Sequence, residues 1–502
     1  MHITLITEIL LYILSKISYN VKYKYSIISI FLLFYLFLTN YSASIIRTVI
    51  MYLVNVINIT FNLKIKKIDI VLITLIIICI INPFLLYNIG FQFSYIISSS
   101  LIIFSKKYNN KMKSTINTTY ICFLISIPIS LYYFYQINIL SCILNLIMIP
   151  LVSIIIFPLS LLSFFISILM PITKSMITLL EQISIITSNI QFLKIEFIKP
   201  NILIVLILYI LIFISINNKK CILILILTMM ALKYYPNYFA SAEVTTFDVG
   251  QGDSLLIASE KRKKIILIDT GGIINQPKEK WQLKNKEYSI VISKTIPYIK
   301  SLGISKINAL ILTHGDYDHM GEAINLVNNF KVDKVIFNCG TYNDLEQELI
   351  KVLNKKKIKY YSCIKELNID KNKLYFLQTK DYDNENDNSN VIYTELNGYK
   401  FMFMGDASVI TEKEIIDKYN LPDIDVLKVG HHGSKTSSGE EFIEEINPRY
   451  SIISVGKNNR YGHPNKEVLD NLNNSKIYRT DEDGSIMFKI KNNKLKIETC
   501  SP

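Results

Sequence analysis

Nine apolar runs follow one another between residues 26 and 235, near 26–43, 45–60, 69–87, 89–104, 119–137, 139–170, 175–192, 202–216 and 220–235. Several approach the ~20 residues that a helix needs to cross a bilayer. Backbone in hydrocarbon must satisfy its own polar groups, so runs this dense predict a bundle of about seven to ten spans. The run 139–170 is long enough for two pieces broken at Pro150 or Pro158.

Charge separates this half from the rest. Through Ala240 the chain carries 17 of its 54 Lys and Arg against 4 of its 41 Asp and Glu, leaving 37 of each for the remainder. The whole formal charge of +13 therefore belongs to the apolar half. Its lysines sit between runs, at Lys22/Lys24, Lys64/Lys66/Lys67, Lys106/Lys107/Lys111/Lys113, Lys174 and Lys219/Lys220. That is the pattern of cytoplasmic loops, although a polyanion site is a second reading of the same charge. If each run crosses once, the last ends at Tyr234–Pro236 on the opposite side, and the second half lies outside the cytoplasm; Lys194 and Lys199 dissent. Arg47, Asn82–Pro83 and Gly90-Phe91-Gln92 interrupt apolar runs. Such groups persist at bilayer depth where they face protein or water, which leaves pore lining and helix packing both open.

No basic n-region opens the chain and Glu8 interrupts its first apolar stretch, so no signal peptide is expected. The seven cysteines include no C-x-x-C pair, so they say little about zinc, and a Cys339–Cys363 disulfide is left open.

After Ala240 the texture changes to short strands and amphipathic helices. Strands are expected at Val244–Phe247, Ser254–Ile257, Lys264–Ile268, Ala309–Leu312, Val335–Phe337, Val391–Leu396, Phe401–Met404, Val426–Val429, Ser451–Val455 and Ser485–Ile490. Helices are expected at 290–302, 320–329, 411–419, 439–446 and 465–473, which suits two sheets with helices packed outside. We divide the chain into a membrane domain, 1–236, and a second domain, 241–502. This second half has no net charge, so strong duplex DNA binding is not expected from bulk electrostatics, although Lys261–Lys264 forms a local basic patch.

Apart from His2, every histidine falls in one of three loops after expected strands: His314 and His319 in "LTHGDYDHMGEA", His431 and His432 in "LKVGHHGSKTSS", and His463 in "NNRYGHP". Asp248, Asp269 and Asp406 also follow strands. Any one of these is ordinarily a hydrated loop residue. Five histidines sharing the pattern point to a metal centre. In the turn after the strand His314, Asp316, Asp318 and His319 can point inward; His319 and Asp318 would hold one cation and His314 approach a second, and the Asp406 carboxylate can bridge two ions ~3.5–4 Å apart. We therefore take His314, Asp316, Asp318, His319, Asp406 and His431 as candidate ligands.

The series "LTHGDYDH", then "GD", then "HHGS" resembles the metallo-β-lactamase superfamily, a four-layered αββα sandwich of metal-dependent hydrolases. The first motif of that family is usually His-x-His-x-Asp-His; here Asp316 stands at the middle position, and 381–390 holds no further histidine. Fewer imidazoles and more oxygens favour Mn²⁺ over Zn²⁺, with two divalent ions expected. Together with "DVGQGDS", "LIDTGG" and "SVGKNNRYGHP", these departures are similar to one branch, the ComEC-type competence proteins. The segments "SASIIRTVIM", "INPFLLYNIGFQFSY" and "LNLIMIPLVSIIIFPLSLL" resemble the membrane domain of the same family. Relative to that family the chain starts inside the competence region, as a shortened homologue or a truncated reading frame would.

The resemblance implies a multi-pass protein of the bacterial cell membrane that passes single-stranded DNA inward. Its outer domain would degrade the other strand as a metal-dependent phosphodiesterase. Implied partners are membrane lipid, a DNA receptor and the cytoplasmic ATPase of the competence machinery; a homo-oligomer is left open. In such a site Asp318, bound to metal, orients water, His463 or His432 protonates the leaving oxygen or supplies another ligand, and Ser434 and Lys435 hold a phosphate oxygen, with a plain structural role as the alternative for each. A channel whose hydrolase domain is degenerate and serves as gate or binding module is the competing reading, and a membrane-anchored esterase is a third.

Overall fold

In a computed structural model, residues 2–17, 21–106, 108–188, 190, 193–272, 288–377 and 382–501 are described. The chain forms two compact units, Met1–Leu232 and Lys233–Pro502.

The first unit is helical. Among the described residues, four helices are long and apolar enough to cross a membrane: Ala43–Thr60, Met112–Phe134, Leu140–Phe165 and Ser167–Thr187. Shorter apolar helices lie at Tyr23–Leu38, Ile89–Phe104, Ile202–Asn217 and Ile222–Tyr238. Large apolar side chains such as Phe164 and Phe165 stand exposed, which suits lipid rather than water as the surrounding solvent. Two expectations are corrected here. The run 139–170 does not break at Pro150 or Pro158. A π-helical segment, Leu151–Ile156, absorbs the strain after Pro150, and the helix continues to Phe165. Conversely, 69–87 is not one span. The helix Lys67–Ile81 stops at Asn82, whose side chain accepts from the Phe84 N–H, and a 3₁₀ turn, Pro83–Tyr87, leads to Asn88, which caps Ile89–Phe104. Gln92 tightens this broken hairpin by donating to the Leu86 carbonyl at 2.8 Å and the Tyr133 hydroxyl at 2.9 Å.

Among its described residues, the second unit has two large sheets and a small parallel pair, Lys306–Ile307 with Lys331–Val332. One has eight strands in the order Lys359–Ser362, Lys334–Phe337, Ala309–Ile311, Ile265–Ile268, Leu255–Ala258, Ala242–Thr246, Ser485–Lys491, Lys494–Cys500. The other has seven, in the order Glu366–Ile369, Asn372–Phe376, Ile392–Leu396, Tyr399–Phe403, Val426–Lys428, Tyr450–Ile453, Lys476–Arg479. Ile266, Ile268 and Ile311 of the first meet Phe401, Phe403 and Ile452 of the second in the central core. The alternate residues Ile265, Leu267 and Leu310 pack outward on Ile299, Leu326 and Leu349. Met402, Leu427 and Ile453 pack on Ile415, Phe442 and Val468. These are helix–sheet–sheet–helix layers, an αββα sandwich. Both faces of each central strand are buried, which is why those strands read as continuous apolar runs. Cys339 and Cys363 are joined by a disulfide.

Four strands of each large sheet are parallel. Ile265–Ile268, Ala309–Ile311, Lys334–Phe337 and Lys359–Ser362 run together, as do Tyr399–Phe403, Val426–Lys428, Tyr450–Ile453 and Lys476–Arg479. Parallel strands end at one edge, so the loops after them gather there.

Candidate metal centre

At that edge four imidazoles surround one carboxylate. Asp406 follows Tyr399–Phe403 and is 3% exposed. The Nε2 of His319 lies 3.2 Å from its Oδ1; those of His432, His431 and His314 lie 3.7, 3.8 and 3.9 Å from its Oδ2. Each ring is aimed from behind. His319 Nδ1 sits 2.8 Å from Asp269 Oδ2, and Asp269 in turn accepts from the Thr313 N–H at 2.8 Å and its hydroxyl at 2.6 Å. The Ser454 carbonyl accepts from His432 Nδ1 at 2.9 Å. His314 Nδ1 meets the hydroxyls of Thr313 and Ser389 at 3.1 and 3.3 Å, and His431 Nδ1 meets that of Thr436 at 3.1 Å. With Nδ1 engaged, Nε2 is the nitrogen each ring presents inward.

A cation fits this donor set. The Nε2 atoms of His314, His319 and His432, with Asp253 Oδ1 and Asp406 Oδ1, are buried and form no hydrogen bond. Asp253, His319, Asp406 and His432 each offer a ligand atom within 4.8 Å of the others. Buried polar atoms are rarely left unpaired, and oxygen and imidazole nitrogen donors that converge in this way suit a bound cation. Burial opposes charge on Asp406, yet His319 and His432 hold it well below the usual carboxylate range. Burial likewise opposes charge on His319, but Asp406 and Asp269 hold it well above the ordinary imidazole value. For Asp318 too, burial is outweighed by the His432 contact at 3.3 Å and by His319, and its carboxyl is held low.

The other sequence candidates take varied positions. Asp316, with its side chain half exposed, lies 3.6 Å from His314 Nε2. The His463 ring stacks on Tyr461 at 5.8 Å and faces His431 at 6.0 Å; burial, then the neighbouring His431 and His432, push its pKa down. Ser434 is buried and bonds within its own turn, to Thr436, whereas Lys435 is exposed. Asp248 pairs with Lys294 at 3.0 Å, away from the imidazoles.

Sequence reasoning passed over three residues. Asp253 precedes its strand, Leu255–Ala258, instead of following one, so the strand-end rule missed it. Lys428 is fully buried and forms an ion pair with Asp253 while donating to the Gly405 carbonyl at 3.3 Å. Ser389 stands in the segment where a histidine was sought; its hydroxyl meets His314 and accepts from the Asp406 N–H at 3.1 Å.

Gly252 shows how tightly the centre is framed. Its φ is +120°, and a Cβ there overlaps the Asp318 carbonyl, which accepts from the Asp253 N–H at 3.2 Å. We expect Gly252→Ala to push Asp318 and Asp253 apart and weaken metal binding by about 10–100-fold, the usual effect of disturbing ligand support; isothermal titration of the metal-stripped chain with Mn²⁺ measures it.

A cleft of about 830 Å³ opens beside the centre, lined among others by Asp248, Lys294, Asp318, Lys457, Arg460 and Tyr461.

Residues 1–220 match the family described as "Competence protein", and residues 247–457 match the "Metallo-beta-lactamase superfamily". The ComE operon protein 3 of Bacillus subtilis is 30% identical over 98% of this chain and 67% of its own length. Competence protein ComA of Neisseria gonorrhoeae is 28% identical over 49% of the chain and 32% of its own length. Recombination protein 2 of Haemophilus influenzae is 28% identical over 56% of the chain and 33% of its own length.

Proposed function

We propose that this chain, which belongs to the ComEC-type competence family, carries single-stranded DNA inward through its first unit and hydrolyses phosphodiesters of the other strand at the metal centre of its second. The observation that carries the catalytic half is the convergence of five buried, unpaired donor atoms from His314, His319, His432, Asp253 and Asp406. His314, His319, Asp406, His431 and His432 would hold one or two divalent ions, Mn²⁺ before Zn²⁺, with Asp316 and Asp318 at the rim. Bound there, such ions neutralise phosphate charge and bring the pKa of water toward neutrality. The chain's own residues do the rest. Asp318 lines the cleft and, as a carboxylate, can accept a proton from an attacking water. His463, stacked beside His431, can protonate the leaving oxygen. Lys435, exposed after the histidine pair, can hold a phosphate oxygen, and Ser434 fixes the turn that carries it.

Lipid surrounds the first unit in this reading, and the second faces outward, where a DNA receptor hands over duplex; a cytoplasmic ATPase draws in the surviving strand. The purified full chain with Mn²⁺ is expected to cleave single- or double-stranded DNA, and Asp318→Ala to lower the rate by roughly 10²–10⁴-fold. Absence of cleavage by the folded, metal-loaded chain would overturn the catalytic half. One observation favours a second reading, a degenerate domain serving as gate: Ser389 offers a hydroxyl beside His314 where an imidazole was sought. Under that reading, transformation persists in the Asp318→Ala strain.

A further inference from the structure

Five of the chain's basic residues are arginine, and four of them lie after residue 232; the first unit otherwise uses lysine throughout. The exception, Arg47, is the fifth residue of the helix Ala43–Thr60. It is turned toward the neighbouring helix Ile89–Phe104 instead of toward a loop. Its Nη1 donates to Ser98 Oγ at 3.0 Å, its Nη2 to Thr48 Oγ1 at 3.4 Å, and the guanidinium lies 5.7 Å from the centre of the Tyr95 ring. Nη1 also lies 3.9 Å from Met51 Sδ. The hydroxyls of Ser44 and Ser94, 3.5 Å apart, extend the same polar seam between the two helices.

None of these partners is negative. Glu8, Asp69, Glu181 and Glu196 are the acidic residues of the first 232, and among the described residues Arg47 forms no ion pair with any of them. Its Nε is buried and makes no hydrogen bond. Hydroxyls and a ring face soften a half-buried cation but do not neutralise it, and a charge held in an apolar bundle marks a site for its opposite. Arginine presents a planar fork that fits phosphate through two bonds at once, which lysine cannot do.

We propose that Arg47, with Ser44, Ser94 and Ser98, forms a phosphodiester-binding site inside the first unit. Two sources can supply that anion: a nucleic-acid strand in transit or a lipid headgroup. As a DNA contact the site rests on the transport reading above; as a phosphate site it does not.

The full chain in phosphatidylcholine nanodiscs, titrated with a fluorescent oligothymidylate across a salt series, tests the DNA source. Arg47→Gln is expected to weaken binding about tenfold, the effect of one charge-assisted bond. It should also make the slope of log K against log salt shallower by about 0.7, the loss of one phosphate contact on a single strand. Arg47→Lys keeps the charge and should keep the slope while losing affinity; it also serves if the glutamine variant fails to fold. Native mass spectrometry after exchange into phosphatidylglycerol tests the lipid source. If oligonucleotide binding is unchanged or absent but Arg47→Gln loses a retained phosphatidylglycerol, the site stands with lipid as its phosphate; absence of oligonucleotide binding by the unaltered chain then counts against the transport reading alone. If Arg47→Gln changes neither slope nor lipid retention, the proposal is overturned.

Discussion

Asp406→Ala is expected to empty the centre of metal and reduce DNA cleavage to background. Among the described residues, no other side chain stands near four imidazole Nε2 atoms at once, from 3.2 to 3.9 Å. Losing the carboxylate removes an anionic oxygen from every ion the site can hold, and the imidazoles left behind bind a cation only as neutral donors. The fold should survive. Asp406 Oδ1 forms no hydrogen bond, and the backbone N–H of this residue keeps its bond to Ser389. A fall of roughly 10³-fold or more in the hydrolysis rate is the expected size, since both charge neutralisation and the activated water are lost together. Metal content by plasma emission spectrometry, with cleavage measured on the same sample, checks it. Full metal content in the folded variant would remove Asp406 from the ligand set.

The second large effect concerns stability. Lys428→Met should destabilise the second unit by about 3–5 kcal/mol in chelator, because it leaves Asp253 a buried charge without its partner. Both residues are almost completely enclosed, at 1% exposure each, which makes the missing countercharge hard for water to replace. With Mn²⁺ present the deficit should shrink, since a cation at the centre lies beside Asp253 and replaces the lost ammonium. Hydrogen exchange in the strand Val426–Lys428, with and without metal, reads both arms. Equal deficits in the two conditions would separate Asp253 from the cation's neighbourhood.

Much of the candidate site was legible because its residues break apolar strands. His314, Asp406 and the His431–His432 pair come within a few residues of the ends of apolar strands, and His319 lies five residues after His314 in the same loop, so the polar residues gather where the apolar runs stop. Lys428 was illegible for the opposite reason: a lysine among Val426, Leu427 and Val429 reads as the solvated side of a strand, and only the partner supplied by Asp253, far away in sequence, makes its burial tolerable. Outer elements were lost to the Lys/Asn-rich composition. Glu366–Ile369 and Asn372–Phe376 alternate between exposed and buried, but their polar members hid the period. The hairpin Ser485–Lys491 to Lys494–Cys500 turns at Asn492–Asn493, both at positive φ, a signal present in the sequence and not used. The helix Asp344–Lys356 carried its own start signal in the Asn343–Glu346 capping box.

The broken hairpin at Asn82 bears on the bilayer itself. Lys67–Ile81 has fifteen residues and so reaches about 22 Å, against a hydrocarbon layer of ~30 Å. A shortfall of that size draws headgroups and water inward or thins the leaflet around it. Where such a short helix lies in lipid, the insulating layer around it is thinner than its surroundings.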